Sequence, residues 1–359
     1  PMGSHLCREP MPAMSEMKHD MEILRKQGFN LIKLQEQWMC DEAVEGRYDF
    51  SKYEELIEHA ATLDLGVYLG LTCEQAPHWL WEKHPGCRMV GRNGVPVALE
   101  LQTSDGKTGP CFDDPGAMAD MVRFITRLVQ TLGRYDNIVV WNTWQEIAYW
   151  GENFVGQHVC YCPNTQQHYR SWLRSQYGTM DALNLAWHTR FAAWDDILPV
   201  QTATPFPIAQ ELTYRYFMDN IQMGQILKRR YEAIRAADSL KRPIFAHKAF
   251  STFGSGQDWT YSRCQDFLGT SCYPAWATRN SADDGASDRP IPRHAGLLTE
   301  MWDSVACRFD FIRSANKPGN QVWAAELQGG PVSTGMHLGR CPSPEDIRRG
   351  MRTAMRTGV

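Results

Sequence analysis

Ile138–Ile147 reads Ile-Val-Val-Trp-Asn-Thr-Trp-Gln-Glu-Ile, and Gln321–Gly330 reads Gln-Val-Trp-Ala-Ala-Glu-Leu-Gln-Gly-Gly. Each is a short apolar run of strand length that ends on a carboxylate and then gives way to irregular or Gly-rich chain. Parallel strands of a barrel present their chemistry at their carboxyl ends. Glu146 and Glu326 therefore read as two acids delivered to one cavity from distant parts of the sequence.

The surrounding chain supports a parallel sheet. Ser15–Lys26 has helical spacing and is closed by Gly28, and Phe29–Gln35 reads as a strand. Ser51–Glu54 reads as a capping box opening a helix, followed by a strand at Leu65–Leu71. A long polar loop carrying His78, Trp79 and Trp81 then runs to about Pro115, and a clear amphipathic helix spans Met118–Leu132. Helical patterns at Gln166–Trp187 and Ala209–Ala237 precede short strands at Ile244–His247 and Phe267–Ser271. A polar loop at Ala275–Ile291 leads to a helix at Leu297–Ala315. Ser343 and Pro344 open a last helix. At the N-terminus, Gly3–Cys7 is either a short first strand or part of a cloning remnant. Alternating strand and helix predict about seven units of a (β/α)8 TIM-type barrel whose eighth strand is missing or truncated. No linker or repeat divides the chain, so 1–359 reads as a single catalytic barrel domain.

Composition narrows the function classes. The chain has 359 residues, 43% hydrophobic and 22% charged, with a net charge of -4. These values suit a globular protein and carry no basic footprint for nucleic acid or an anionic membrane. No stretch approaches the roughly 20 apolar residues of a membrane span. The 11 cysteines are odd in number and scattered, which points to a reducing compartment and, without a signal segment, to the cytoplasm. The 13 Trp are a surplus. Such flat rings fill cores, and they also line sugar sites.

Two carboxyls converging from separate strands suit cleavage of a glycosidic bond. Further motifs make the likeness specific. Arg8–Pro12, Glu45–Phe50, Trp141–Glu146, Cys160-Tyr-Cys162, Tyr177–Trp187 and Glu326–Arg340 together resemble family 42 glycoside hydrolases, the β-galactosidases and their relatives. The likeness runs in order from about Arg8 to the last residue.

The resemblance implies that Glu146 is the general acid/base and Glu326 the nucleophile of a retaining enzyme acting on terminal β-D-galactosides. It also implies that Tyr273, after the sixth strand, holds the nucleophile. Asn142, Trp144, Trp79, Trp276 and His337 join the substrate-binding candidates, with Trp323 and His247 as further sugar contacts. Gln145 stands where the family has Asn before the acid, one methylene longer than the group that grips the sugar 2-hydroxyl. Cys111, Cys160 and Cys162 match three ligands of a structural zinc found in many family members. Thr165 occupies the place of the fourth, with His158 and His168 as alternative donors. The reaction itself requires no cofactor. The partner is a carbohydrate, and relatives build oligomers, so a homo-oligomer is one expectation. Alternatives are the same machinery on another β-glycoside or on an α-L-arabinopyranoside, and a non-catalytic sugar-binding pseudoenzyme.

Overall fold

The computed structural model describes residues 1–6, 11–97, 109–149, 159–201, 208–248, 257–273, 295–329, 333–334, 337–338 and 343–359. The chain divides into two compact units, one formed by residues 1–144 with 149–244, the other by 145–148 with 245–359.

In the first unit β1 (Gly3–His5), β2 (Leu31–Gln35), β3 (Gly66–Gly70) and β4 (Ile138–Asn142) run parallel in chain order. Their registers pair Gly3 with Leu31, Leu31 with Gly66, and Tyr68 with Val140. The opening residues are thus a true strand. Every residue of β2 is buried, the pattern of a parallel strand covered on both faces. Even Lys33 is enclosed, its ammonium 5.2 Å from the centre of the Tyr68 ring.

The helices α1 (Met14–Lys26), α2 (Trp38–Asp41), α3 (Ser51–Thr62), α4 (His78–Lys83) and α5 (Pro115–Leu132) connect or flank these strands. Ser51 does not cap α3 as its sequence suggests. It lies inside the first turn, and its backbone N–H and hydroxyl both donate to Asp49 Oδ1, at 3.0 and 2.6 Å. The loop expected after β3 contains α4. Asp114 caps α5 by accepting from Gly116 and Ala117 N–H, both at 3.0 Å, with Pro115 at the first helical position. The apolar stripe Met121, Phe124, Ile125, Leu128, Val129 and Leu132 is buried.

After β4 come α6 (Pro163–Tyr177), α7 (Met180–Trp187), α8 (Ala209–Tyr216) and α9 (Met223–Ala237). The helical pattern at 166–187 breaks at Gly178, whose φ of +70° belongs to the region glycine enters freely. A π-helical turn, Phe217–Gln222, joins α8 to α9. Arg242 locks the segment beyond α9. Its guanidinium pairs with Asp238 Oδ1 at 2.7 Å and donates to the Gly133 and Tyr135 carbonyls at 2.9 and 2.7 Å. Asp238 Oδ2 in turn accepts from Trp141 Nε1 at 3.1 Å, fixing the middle of β4.

The second unit holds β5 (Ile244–Lys248, from Phe245 onward), β6 (Phe267–Cys272) and β7 (Ala324–Leu327), again parallel and in chain order. Helix α10 (Gln257–Arg263) precedes β6, and α11 (Ala295–Ala315) precedes β7. Asn316 ties β6 to the approach of β7: it accepts from Leu268 N–H at 2.8 Å and donates to the Leu268 and Gln321 carbonyls at 3.0 and 3.1 Å. The last helix, α12 (Pro344–Arg356), begins with the expected cap. Ser343 Oγ accepts from Asp346 N–H at 3.2 Å, and Asp346 Oδ2 accepts from Ser343 N–H at 3.0 Å. Between β7 and α12, β8 (Ser333–Thr334) and β9 (His337–Leu338) form a small antiparallel pair. Among the described residues no eighth parallel strand follows β7. The segment 274–294 that carries the expected polar loop lies outside the described residues.

Candidate active site

The second unit brings Glu146, His247, Ser271, Tyr273 and Glu326 together. Glu146 enters it on the short run 145–148, which is anchored by a hydrogen bond from Ile147 N–H to the His247 carbonyl at 3.0 Å. Glu146 itself has φ +54°, a left-handed conformation unusual for a residue with a side chain. His247 lies next to the end of β5, Ser271 and Tyr273 at the end of β6, and Glu326 near the end of β7.

A carboxylate oxygen of Glu146, a ring nitrogen of His247 and a carboxylate oxygen of Glu326 lie within 4.8 Å of one another. Tyr273 donates its hydroxyl hydrogen to Glu326 Oε2, and Ser271 Oγ lies 3.4 Å from the same oxygen. The other oxygen, Oε1, faces His247 Nε2 at 3.9 Å. His247 is fully buried, and its ring stacks on that of Phe245 with centroids 6.2 Å apart. Gly269 permits this crowding. A Cβ there would sit 2.9 Å from the Trp323 carbonyl and 3.4 Å from the His247 Cβ.

Ser271 is absent from the sequence candidates, although periodicity carries its signal: residues two apart along extended chain share a face, so Ser271 travels with Tyr273 just beyond β6. Gln145 is half-buried, and its Oε1 is buried with no hydrogen-bond partner among the described residues. Trp323 packs against Phe245 and Phe267, with centroids 5.5 and 5.7 Å away, before the start of β7. It thus lies at the opposite end of these strands from Glu326.

Other candidates belong to the first unit. Asn142 is fully buried at the end of β4. Trp144 is 1% exposed, with the Arg230 guanidinium 4.2 Å from its ring centre. Trp79 donates its indole N–H to the Glu42 carbonyl at 2.9 Å, and its ring is approached by the Lys83 ammonium and Arg123 guanidinium at 5.6 and 5.5 Å. Trp276 lies outside the described residues, as does the side chain of His337, whose backbone forms part of β9.

The three cysteines do converge. Cys111, Cys160 and Cys162 offer sulfurs within 4.8 Å of one another, and all three are buried. Cys111 and Cys162 Sγ are 3.5 Å apart, and Thr165 Oγ1 lies 3.1 and 3.3 Å from them. Thr165 N–H also donates to Cys162 Sγ at 3.4 Å, making Cys162 the cap of α6. Hydrogen bonding with Cys111 and Cys160 holds the Cys162 thiol below the usual thiol range. Burial pushes Cys160 up to about 12. His168 is turned to Asp113, with Nδ1 2.8 Å from Oδ1. His158 lies outside the described residues. The donor set thus offers zinc three sulfurs and a hydroxyl, short of the four strong ligands of a closed structural site.

Residues 10–359 match the model of glycoside hydrolase family 42, described as "Beta-galactosidase". The chain belongs to that family. It is 26% identical to the β-galactosidase BgaA of a Thermus species over 92% of this chain and 49% of that one. It is 27% identical to the β-galactosidase of Thermus thermophilus, again over 92% and 49%. Among solved structures, the β-galactosidase of the psychrophilic Marinomonas ef1 superposes with a TM-score of 0.80 at 20% identity, covering 99% of this chain and 52% of that one. The β-galactosidase of Halorubrum lacusprofundi gives 0.80 at 21%, covering 100% and 52%. The fold is therefore the barrel of these enzymes, and the chain spans about half the length of the curated relatives it matches. Among the described residues, no helix is long and apolar enough to cross a membrane.

Proposed function

We propose that this chain carries the catalytic machinery of a retaining glycoside hydrolase for terminal β-D-galactosides, with Glu146 as acid/base and Glu326 as nucleophile. The observation that carries the reading is the approach of the two carboxyls to within 4.8 Å. Retaining enzymes place the pair about 5–5.5 Å apart, whereas inverting ones need about 6.5 Å or more to admit a water.

Glu146, Glu326, Tyr273, Ser271 and Gln145 each have a task in double displacement. Tyr273 and Ser271 direct their hydroxyls at Glu326 Oε2, so Oε1 is the oxygen that attacks the anomeric carbon. Glu146 donates its proton to the leaving oxygen as the bond breaks. It then removes a proton from the water that hydrolyses the glycosyl–enzyme ester, restoring both carboxyls. Gln145 brings its carboxamide next to the acid, where Oε1 accepts from a sugar hydroxyl. No step draws on a metal or an organic cofactor.

The experiment is hydrolysis of a panel of nitrophenyl glycosides by the full chain, with the product anomer followed by proton NMR. The reading expects β-D-galactoside to lead the panel, β-galactose to be the first-formed product, and Glu326→Ala to abolish turnover. First-formed α-galactose would overturn retention. A preference for α-L-arabinopyranoside or another β-glycoside would move the substrate and keep the mechanism. Ligand binding without hydrolysis, unchanged by Glu326→Ala, would make the chain a sugar-binding protein.

A further inference from the structure

We propose that Glu146, His247 and Glu326 also form a binding site for a transition-metal dication of the zinc, nickel or copper(II) type. An ion bound there closes the pocket to sugar, a consequence that rests on the glycosidase reading; the binding itself does not.

The assignment starts from His247, which the hydrolytic mechanism leaves without a chemical task. Its ring is fully enclosed and is oriented by Phe245, and its Nε2 is 3.9 Å from Glu326 Oε1. That separation exceeds a hydrogen bond. It is close to what two ligands of one ion require, because metal–nitrogen and metal–oxygen bonds of about 2.1 Å set neighbouring donors about 3.4 Å apart in a tetrahedron. With a Glu146 oxygen inside the same 4.8 Å group, three donors converge, one from β5, one from β7 and one from the run 145–148. Small side-chain rotations bring them to ligand distance.

The surroundings orient these donors. Tyr273 and Ser271 direct their hydroxyls at Glu326 Oε2 and turn Oε1 toward His247. The bond from Ile147 N–H to the His247 carbonyl keeps the Glu146 segment beside β5. Such outer contacts hold metal ligands in place. One imidazole and two carboxylates suit zinc, nickel or copper(II) over magnesium or calcium, which prefer oxygen alone. The ion would occupy the attacking oxygen and the acid/base together, so metal and sugar exclude each other.

The test uses the full chain, stripped of metal with chelator and dialysed against Ni²⁺ or Zn²⁺. Bound metal is then counted for the wild type, His247→Asn and Glu146→Gln. The wild type is expected to hold one ion per chain more than either variant, whatever the cysteine cluster binds. Co²⁺ separates the two places independently: thiolate ligation gives sulfur-to-metal charge transfer, while the nitrogen and oxygen site gives only weak ligand-field bands. Those weak bands should be missing in His247→Asn, with circular dichroism confirming that the variant is folded. Equal metal counts and identical Co²⁺ spectra across the three proteins would overturn the site. With activity followed in parallel, Ni²⁺ should inhibit competitively against nitrophenyl galactoside, and EDTA should reverse it. An extra ion in a chain without hydrolytic activity would keep the metal site and remove the glycosidase reading. Hydrolysis with no extra ion would do the reverse.

Discussion

Tyr273 donates its hydroxyl hydrogen to Glu326 Oε2 while Oε1 faces His247, so the two oxygens of this carboxylate stand in different surroundings, and in the proposed reaction Oε1 is the one that attacks. Replacing Tyr273 with Phe removes that donor and leaves the ring. A hydrogen bond to a charged group contributes about 1.5–3 kcal/mol. The expected loss in kcat/KM is therefore about 10- to 100-fold. Steady-state kinetics on nitrophenyl galactoside measure it, with thermal unfolding to show that Tm has changed little. An unchanged kcat/KM would remove Tyr273 from the site.

Much of this arrangement was legible in the sequence, because strand length and apolar content mark where β4, β6 and β7 end. Tyr273 and Glu326 sit at such ends, and Glu146 follows the end of β4 by four residues. What escaped was set by partners remote in the chain. Ser51 looked like a helix cap, but Asp49 takes its N–H and hydroxyl. The indoles of Trp79 and Trp144 read equally as sugar platforms or as core, and the fold brings Arg123 and Lys83 to one and Arg230 to the other. No local pattern announces which cation will lie over a given ring. Ser271 was hidden for the opposite reason: its signal is merely two-residue spacing from Tyr273.

A second prediction concerns pH and the first unit. Glu36 and Asp41 are buried near Lys52 and Glu74; Lys52 Nζ is 3.1 Å from Asp41, and Thr72 N–H reaches Glu36 Oε2 at 3.3 Å. Burial pushes Asp41 up to about 7, opposed by Lys52. Burial and the Asp41 charge raise Glu36 as well. Both carboxyls hold their protons more tightly folded than unfolded. Their contribution is therefore fully favourable below the unfolded values of about 4 and is lost as pH rises through the folded ones. Stability should decline by a few kcal/mol at most between about pH 4 and pH 7 from Asp41. Urea unfolding at several pH values reads the slope. Asp41→Asn should flatten it, and an unaltered slope would contradict the assignment.

Arg230 supplies a third. It is fully buried, donates to Glu74 Oε1 at 2.6 Å and to the Thr143 carbonyl at 3.0 Å, and lies over Trp144. Removing one member of such a pair strands the other charge, which costs about 3–5 kcal/mol. Arg230→Met and Glu74→Gln should each destabilise the chain by that order, and the double variant by clearly less than their sum. A double-mutant cycle in urea measures the coupling, and additive losses would refute it.

The last prediction concerns the cysteine cluster, where Thr165 Oγ1 stands 3.1 and 3.3 Å from two sulfurs. A hydroxyl at that place satisfies the thiols by hydrogen bonding but is a poor partner for zinc, which closes structural sites with four nitrogen or sulfur ligands. Exchanging Thr165 for Cys supplies the missing thiolate from the first turn of α6, where the backbone already directs the side chain at Cys111 and Cys162. Thr165→Cys should therefore bind zinc more tightly than the wild type, as read by competition with a chromogenic chelator. Because an ion bound only by the folded state stabilises it by RT ln(1 + [L]/Kd), excess zinc should raise the Tm of the variant more than that of the wild type. Zinc affinity equal in the two proteins would show that the hydroxyl, or a water it holds, already serves as an adequate fourth ligand.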